Sequence, residues 1–240
     1  MVAIKEVAYE VDGRRMVGTL AAPEGGGDHP AVLIGHEGPG LDKFQKGRAA
    51  KLAELGYVAF ALDYHGGGER IDDRQAMMER LTELSEDLDR LRAIGMAGLE
   101  VLLNDRRANP SRLAAIGYCY GGTVALELAR MGQDLKSVVG FHPGLGTSRP
   151  EDASNITGKV LICVGADDPI VVAEERLAFE EEMRAGNVDW TMVIFGRTEH
   201  SFTHPFVDRA AIPGLKYNAS SDTKAWKLML DLFDETLGVP

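Results

Sequence analysis

Short apolar runs separated by amphipathic stretches recur along most of the chain. The first two segments, residues 2–11 and 14–22, have the composition of strands and flank Asp12-Gly13, a pair typical of tight hairpin turns. Continuous apolar runs further along the chain are typical of strands that a parallel sheet buries on both faces. These runs, with a sixth strand near the C-terminus, predict strands at residues 31–35, 57–62, 113–117, 137–141, 159–164 and 190–195.

Helices are predicted around these strands, at residues 44–55, about 73–103, 123–130, 171–184 and about 226–237. Gly95 and Gly98 are expected to divide the longest one into two helices. Its first part, at about residues 71–94, is expected to form a small cap over the sheet. The alternation of strand and helix predicts one α/β domain over residues 1–240, with a mostly parallel, doubly wound sheet, an N-terminal antiparallel hairpin and helices on both faces.

The composition excludes some classes of function for this chain. Apolar residues make up 45% and charged residues 26% of the chain, as in an ordinary soluble protein, and the net charge is −11. Such a chain repels polyanions and has no basic run, so nucleic-acid binding is not expected. No apolar stretch approaches the roughly 18 residues of a membrane-spanning helix. Only two cysteines and the lack of a signal-peptide pattern favour a cytoplasmic location, for a monomer or a homodimer.

The most informative stretch is Gly117-Tyr-Cys119-Tyr-Gly121, which joins a predicted buried strand to a predicted helix. It matches the nucleophile elbow G-x-S-x-G with cysteine in place of serine. Glycines two residues before and after the nucleophile let the strand and the helix approach each other. The helix N-terminus also favours the thiolate form of the cysteine. The alternative is a structural cysteine in a glycine-rich turn, and core packing is our interpretation of Cys163 within its apolar strand.

A nucleophile elbow predicts an acid and then a histidine, each after a later strand. Asp167 and Asp168 follow the strand at 159–164, and His200 follows the strand at 190–195. His200 would take the thiol proton or pair with the thiolate, and the aspartate would orient the imidazole. Asp168 is favoured over Asp167. Carboxylates that cap a turn or a helix are the competing interpretation of both aspartates.

The loop after residues 31–35 reads His36-Glu37-Gly38-Pro39-Gly40. In hydrolases of this shape, an amide from this loop joins the amide after the nucleophile to hold an oxyanion. The donors here would be Tyr120 and either Gly38 or Glu37. A carboxylate beside an oxyanion would destabilise it by charge repulsion. Glu37 is therefore expected either on the surface or close to the thiol, where it would control the protonation of Cys119.

The histidines do not predict a metal site. His200 and His204 have the i, i+4 spacing of two ligands on a helix, but Pro205 follows directly and the carboxylate of a zinc-binding motif is missing. Neither a metal nor another cofactor is therefore expected. The remaining histidines lie in or beside loops, where solvated or hydrogen-bonded structural roles are expected: His29, His36, His65 and His142. His36 and His65 are also candidates for pocket walls.

Together these residues resemble the dienelactone hydrolase family of α/β-hydrolases over about residues 7–237. The resemblance is carried by Gly35-His-Glu-Gly-Pro-Gly40, Gly56-Tyr57 with Leu62-Asp63-Tyr64, Gly117-Tyr-Cys-Tyr-Gly-Gly122, Gly165-Ala-Asp-Asp-Pro169 and His200-Ser-Phe202. It implies that Cys119, Asp168 and His200 form a triad and that Gly38 and Tyr120 supply the oxyanion amides. Glu37 matches the family's carboxylate that pairs with the resting thiol and helps to deprotonate it when substrate enters.

The resemblance further implies an α/β-hydrolase fold, no cofactor, and a small-molecule substrate. The residues that it suggests for substrate binding are His36, Tyr64, His65, Phe202 and His204. It is weaker at the arginines that bind the substrate carboxylate. Family members that open the dienelactone carry an arginine shortly after the His-x-Phe motif, where this chain has Thr203-His204. They carry a second arginine between the fourth strand and the next helix, where this chain has Arg70, Arg74 and Arg80 and no alignment selects one of the three.

The sequence thus predicts a hydrolase that cleaves a small carboxylic ester or lactone through an acyl-cysteine. One alternative is a general esterase or thioesterase for small acyl groups. Another is a protein without enzymatic activity that senses oxidants through Cys119. A sensor has no need of His200 and Asp168 in this order, which favours the enzyme.

Overall fold

An eight-stranded sheet forms the centre of the molecule. The structure, a computed structural model, describes residues 1–240 apart from the side chain of Ala210. The strands are β1 (Val2–Val11), β2 (Arg14–Pro23), β3 (His29–Gly35), β4 (Val58–Ala61), β5 (Ala108–Tyr118), β6 (Ser137–Phe141), β7 (Lys159–Gly165) and β8 (Trp190–Phe195). Their order across the sheet is β1-β2-β4-β3-β5-β6-β7-β8.

The sheet is mostly parallel. β1 and β2 form the antiparallel hairpin expected at Asp12-Gly13, where both residues have positive φ angles of 50° and 75°. β2 pairs antiparallel with β4, and every pairing from β4 across to β8 is parallel. The prediction of an N-terminal hairpin on a parallel, doubly wound sheet is confirmed.

Helices cover both faces of the sheet, as predicted. They are α1 (Lys43–Glu54), α2 (Arg74–Glu86), α3 (Leu88–Leu103), α4 (Tyr120–Arg130), α5 (Ala173–Ala185) and α6 (Ala219–Thr236), with short 3₁₀ turns at Pro150–Asn155 and Val207–Ala210. Alternate residues of β3 show how the faces divide. Ala31 and Leu33 lie in a core with α3, α4 and α5, whereas Val32 and Ile34 lie in a core with α1 and α6.

The prediction that Gly95 and Gly98 divide the long helical region was wrong. The division is at Asp87, whose side chain accepts a hydrogen bond from the Arg90 amide and caps α3. Both glycines lie inside α3, where the lack of a side chain lets neighbouring side chains pack closely against the helix backbone. A Cβ on Gly95 would lie 3.1 Å from the Leu128 side chain, and one on Gly98 would lie 3.0 Å from Leu62 Cβ.

Residues 74–86 form α2, a helix whose own buried side chains are only Leu81 and Leu84. Residues 88–94, which we expected to belong to the cap, are instead the first turns of α3 in the layer that packs on the sheet. The proposed cap therefore corresponds to α2 and the loop before it.

Five loops meet at one edge of the sheet, because parallel strands end on the same side. The loops that follow β3, β5, β6, β7 and β8 carry Glu37, Cys119, His142, Asp168 and His200, respectively. The topology thus brings together residues that are up to 163 positions apart in the sequence. No helix in the described part of the chain is long and apolar enough to cross a bilayer.

Candidate active site

Cys119 occupies a strained turn between β5 and α4. Its φ of 52° and ψ of −124° place it in a region that few residues other than glycine adopt, and the thiol is partly exposed. The glycines around it are needed for close backbone contact. A Cβ on Gly117 would lie 2.0 Å from the Gly121 carbonyl oxygen, and one on Gly35 would lie 2.4 Å from the same atom. The local geometry is that of a nucleophile elbow.

The turn also places Cys119 at the N-terminus of α4, where the unpaired amides and the helix dipole favour negative charge. The Cys119 amide donates to the Phe141 carbonyl at 3.0 Å, which attaches the turn to the end of β6. The Gly121 amide donates to the His36 carbonyl at 2.9 Å, which attaches the turn to the loop after β3. The nucleophile candidate is therefore held by backbone hydrogen bonds on both sides.

Asp168 and His200 form a buried hydrogen-bonded pair. His200 Nδ1 lies 2.8 Å from Asp168 Oδ2, and the other carboxylate oxygen accepts the amides of Ile170 and Val171 at 2.8 and 3.0 Å. Burial acts to raise the pKa of Asp168, but the hydrogen bonds, chiefly from His200, lower it below its usual value. Asp167 is exposed. Asp168 is thus the carboxylate that can orient the imidazole.

The second nitrogen of His200 faces the site. Nε2 is buried and has no nitrogen or oxygen partner among the described residues. Burial lowers the pKa of His200, but the neighbouring Cys119 thiolate and Asp168 outweigh burial and raise it to about 10. This electrostatic balance favours the imidazolium form of His200, the partner that a nucleophilic cysteine uses.

Two backbone amides close to the elbow have no acceptor within the described protein. In the part of the chain that the structure describes, no protein acceptor takes the amide hydrogen of Gly38 or Tyr120. Tyr120 is the first residue of α4, so its amide is one of those that a helix leaves unpaired. Gly38 belongs to the loop that the Gly121 amide attaches to the elbow. These are the two residues predicted as oxyanion donors.

His36, Tyr64 and His65 lie beneath this loop. The Tyr64 hydroxyl is 3.1 and 2.9 Å from the carbonyl oxygens of His36 and Glu37, and His65 Nε2 donates to the Gly38 carbonyl at 2.6 Å. His36 stacks on Tyr64 with ring centroids 3.6 Å apart. All three side chains are buried. These contacts hold the loop in place. Contact between these three side chains and a substrate remains a prediction.

Glu37 is buried, so the expectation of a surface carboxylate is wrong. No hydrogen bond joins Glu37 to Cys119 in the described chain. Its carboxylate oxygens lie 3.6 Å from His204 Nε2 and 3.8 Å from His142 Nε2. Burial raises the pKa of Glu37 above its usual value, although His204, Ser201 and His200 act in the opposite direction. Glu37 can thus accept a proton more readily than an exposed glutamate.

A short chain of charged groups connects Glu37 to the surface. His204 Nε2 lies 3.4 Å from Asp42 Oδ2, and Arg70 donates to Asp42 at 2.8 Å and to Asp72 at 2.7 Å. Burial lowers the pKa of His204, but Asp42 and Glu37 raise it above its usual value. His204 therefore already has two carboxylate neighbours, and Arg70, one of the unaligned arginines, is already paired.

Sequence reasoning assigned His142 only a structural role in or beside a loop. In the structure it is fully buried, with its ring centroid 4.8 Å from that of His200 and Nε2 2.9 Å from Thr203 Oγ1. Burial and His200 lower the pKa of His142 well below its usual value, so this imidazole is neutral. The sequence does contain one indication that His142 belongs to the site. It directly follows β6, and the loops after the neighbouring strands β5 and β7 carry Cys119 and Asp168. Phe202 is also buried and contacts the His142 ring edge-on.

No group of three or more histidine, cysteine, aspartate or glutamate side chains within the described residues is arranged to hold a metal ion. The chemistry that the site offers is instead nucleophilic and acid–base. A thiol at a helix N-terminus, an imidazole held by a carboxylate and two unpaired amides converge on one edge of the sheet.

This fold and this site define an α/β-hydrolase. Residues 16–237 match the sequence model of the Dienelactone hydrolase family, and the chain belongs to that family. It is a hydrolase of the class that acts on ester and lactone bonds, as predicted.

Known proteins agree with this assignment. The solved structure of m3DLH is 41% identical and superposes with a TM-score of 0.95 over 98% of both chains. A dienelactone hydrolase-like promiscuous phosphotriesterase from metagenomic libraries is 35% identical, with a TM-score of 0.93 over 98% of both chains. The carboxymethylenebutenolidase of Pseudomonas sp. (strain P51) is 30% identical over 157 residues, which are 62% of this chain and 65% of that protein.

Proposed function

We propose that the protein cleaves a small carboxylic ester or lactone through an acyl-cysteine formed on Cys119, with His200 and Asp168 as the other members of the triad. The observation that carries the proposal is the 2.8 Å pair between Asp168 and His200, whose free Nε2 faces the partly exposed elbow cysteine. The raised pKa of His200, due in large part to the Cys119 thiolate, supports an ion pair as the reactive state.

In the first half of the reaction, the Cys119 thiolate attacks the carbonyl carbon and a new S–C bond forms. The amides of Gly38 and Tyr120 stabilise the oxyanion. The C–O bond of the ester then breaks, and the leaving oxygen takes the proton from His200 Nε2. The products of this half are the alcohol and the acyl-cysteine. In a lactone the alcohol remains attached to the acyl group.

In the second half, neutral His200 takes a proton from water, and the resulting hydroxide attacks the acyl carbon. The S–C bond breaks and releases the carboxylic acid, which restores the thiolate and the imidazolium. Asp168 keeps the Nδ1 proton of His200 in place throughout. Its pKa, lowered by that hydrogen bond, keeps it ionised.

Glu37 is proposed to control the protonation of Cys119. When its carboxylate lies against the thiol, it accepts the S–H hydrogen bond and disfavours the thiolate by charge repulsion. When substrate displaces it, Glu37 takes the thiol proton and leaves the thiolate. The position beside His204 seen in the structure is the displaced one in this scheme. Glu37→Gln should then oxidise faster with peroxide at Cys119 and turn over more slowly. Unchanged oxidation and turnover would make Glu37 a bystander.

The substrate class is proposed as a small ester or lactone rather than the dienelactone in particular. The charged groups beside Glu37 already pair among themselves, through His204, Asp42 and Arg70. A general esterase or thioesterase for small acyl groups remains the second candidate. Because one structural relative is described as a promiscuous phosphotriesterase, a phosphotriester belongs in the substrate panel.

The test is hydrolysis of a panel of lactones and p-nitrophenyl esters by the wild-type protein and by Cys119→Ala. We expect Cys119→Ala to lose nearly all turnover and to keep its melting temperature. Cys163→Ala is the matched control, since Cys163 is fully buried in β7 and burial raises its pKa to about 12. Iodoacetamide should label Cys119 and not Cys163. Full activity in Cys119→Ala would end the proposal.

A further inference from the structure

One side of the oxyanion site is covered by α2, which no part of the proposed chemistry uses. A Cβ on Gly38 would lie 3.0 Å from Met77 Sδ and 3.2 Å from Leu81 Cδ1. The thioether of Met77 therefore lies directly against the Gly38 backbone, beside the amide proposed to hold the oxyanion. Met77 is partly buried, whereas the next residue, Met78, is 50% exposed on the outer side of the helix.

The same helix also contacts the second oxyanion residue. Ser85 Oγ donates to the Leu81 carbonyl at 2.8 Å and lies 3.0 Å from the Tyr120 hydroxyl oxygen. Since the single hydroxyl hydrogen of Ser85 is used by Leu81, the Tyr120 hydroxyl donates to Ser85. One face of α2, with Met77, Leu81 and Ser85, thus lies across both oxyanion residues.

The orientation of the substrate follows from the position of His200, the proposed general acid. His200 protonates the leaving oxygen, so the leaving group must lie toward His200, and the acyl group lies on the opposite side of the carbonyl carbon. Besides its packing against α3, α2 contacts the Gly38 loop through Met77 and Leu81, and the elbow through Ser85. An acyl group that extends away from His200 and past Gly38 would therefore meet Met77 on the inner face of α2.

We infer that Met77 is a residue that determines acyl-chain specificity, with its thioether closing the space available to the acyl group of a neutral ester. This inference rests on the proposed function. Met77 is unbranched and apolar, so it limits the length of an apolar acyl chain by volume rather than by charge. A smaller side chain at position 77 opens the space, and a larger one reduces it.

The experiment compares kcat/KM for p-nitrophenyl acetate, butyrate and hexanoate in the wild-type protein and three variants. Met77→Ala should raise the ratio of hexanoate to acetate by at least about tenfold, since methylene groups in an apolar pocket discriminate by about 10-fold or more. Met77→Phe should lower the ratio. Met78→Ala is the matched control and should leave it unchanged.

The ratio separates specificity from stability, because a variant that is merely less stable loses activity on all three esters together. Melting temperatures of the variants measure that loss directly. A ratio in Met77→Ala equal to that of the wild type, with normal turnover, would overturn the inference and leave the proposed function intact. Absence of turnover on all three esters by the wild-type protein would overturn the inference, and absence of turnover on the lactones as well would overturn the proposed function.

Discussion

Neighbouring residues in the loop after β7 differ sharply in their surroundings. Asp168 is buried and hydrogen-bonded to His200, and Asp167 is exposed. Asp168→Asn should lower kcat by a factor on the order of 10⁴, the loss seen when the orienting carboxylate of a triad is removed. Asp167→Asn should change kcat little. Steady-state kinetics with p-nitrophenyl acetate measures both. The reverse ranking would assign the role of triad acid to Asp167.

The charge state of His200 gives a second prediction for single residues. Its pKa is raised to about 10, above the roughly 6.5 of an unfolded histidine. The His200 imidazolium therefore contributes stability that is complete below a pH of about 6.5 and is lost as the pH rises toward 10. Cys119→Ala removes the thiolate, so the pKa of His200 should fall. NMR titration of the histidine ring checks this, and a wild-type value near 6.5 would contradict it.

The residues of the proposed triad could be found from the sequence, because their positions follow from a rule about strand order. Cys119, Asp168 and His200 each lie in the loop after a strand that the apolar pattern identifies. The orientation of the Glu37 side chain could not be predicted in this way. It depends on the packing of three loops, and only the folded chain shows that His204 and His142 are its neighbours.

At the scale of elements, the contact between β5 and α4 depends on glycine. A Cβ on Gly117 would lie 2.0 Å from the Gly121 carbonyl oxygen, and neither group can move without shifting the elbow backbone. Gly117→Ala should lower the free energy of unfolding by about 1–3 kcal/mol or more and reduce turnover. Urea unfolding measures the stability.

Gly47 provides the matched control for this substitution. It lies inside α1 on the exposed side, and a Cβ there would have no atom within 4 Å. Gly47→Ala should therefore raise the free energy of unfolding by about 0.4–1 kcal/mol, because alanine loses less backbone entropy on folding. Equal effects of the two substitutions would show that close backbone contact at the elbow is not what requires glycine.

The approximate positions of most elements could also be predicted, although β5, α4 and α6 begin at residues 108, 120 and 219, before the predicted starts at 113, 123 and about 226. The apolar pattern correctly placed the strands of the sheet and the hairpin. It fails in the long helical region, where Gly95 and Gly98 predict a division that the structure has at Asp87. Their helical conformation is stabilised by contacts with Leu128 and Leu62, which are far away in the sequence. Local propensity is a weak guide where tertiary packing requires a small residue.

At the scale of the whole molecule, a buried network of ions connects the helices on one face of the sheet. Arg130 is fully buried in α4 and donates to Glu127 and Glu182 at 2.8 Å. Arg92 in α3 binds Glu127 at 2.9 Å and also contacts Asp152 at 2.7 Å. Helices α3, α4 and α5 are thereby joined through side chains that are buried, with Asp152 partly exposed at the end of the network.

Removing one partner from such a network leaves charges buried and unpaired. Arg130→Met should therefore cost about 3–5 kcal/mol of the free energy of unfolding. The exposed pair between Lys136 and Asp134 provides the control, and Lys136→Met should cost at most about 1 kcal/mol. Urea unfolding at neutral pH compares the two. A small effect at Arg130 would mean that apolar packing alone holds these helices.

The attachment of α2 has a consequence for how this enzyme can diversify. The proposed nucleophile, the Asp168–His200 pair and the proposed oxyanion amides all lie in the loops at one edge of the sheet. Helix α2, in contrast, is held by its buried Leu81 and Leu84 and follows a loop with three glycines, Gly66 to Gly68. If Met77 sets the acyl specificity as inferred above, mutation within residues 74–86 should alter substrate preference and leave the proposed catalytic residues themselves in place. Libraries confined to the inner face of α2 should yield many folded, active variants that differ in the acyl groups they accept.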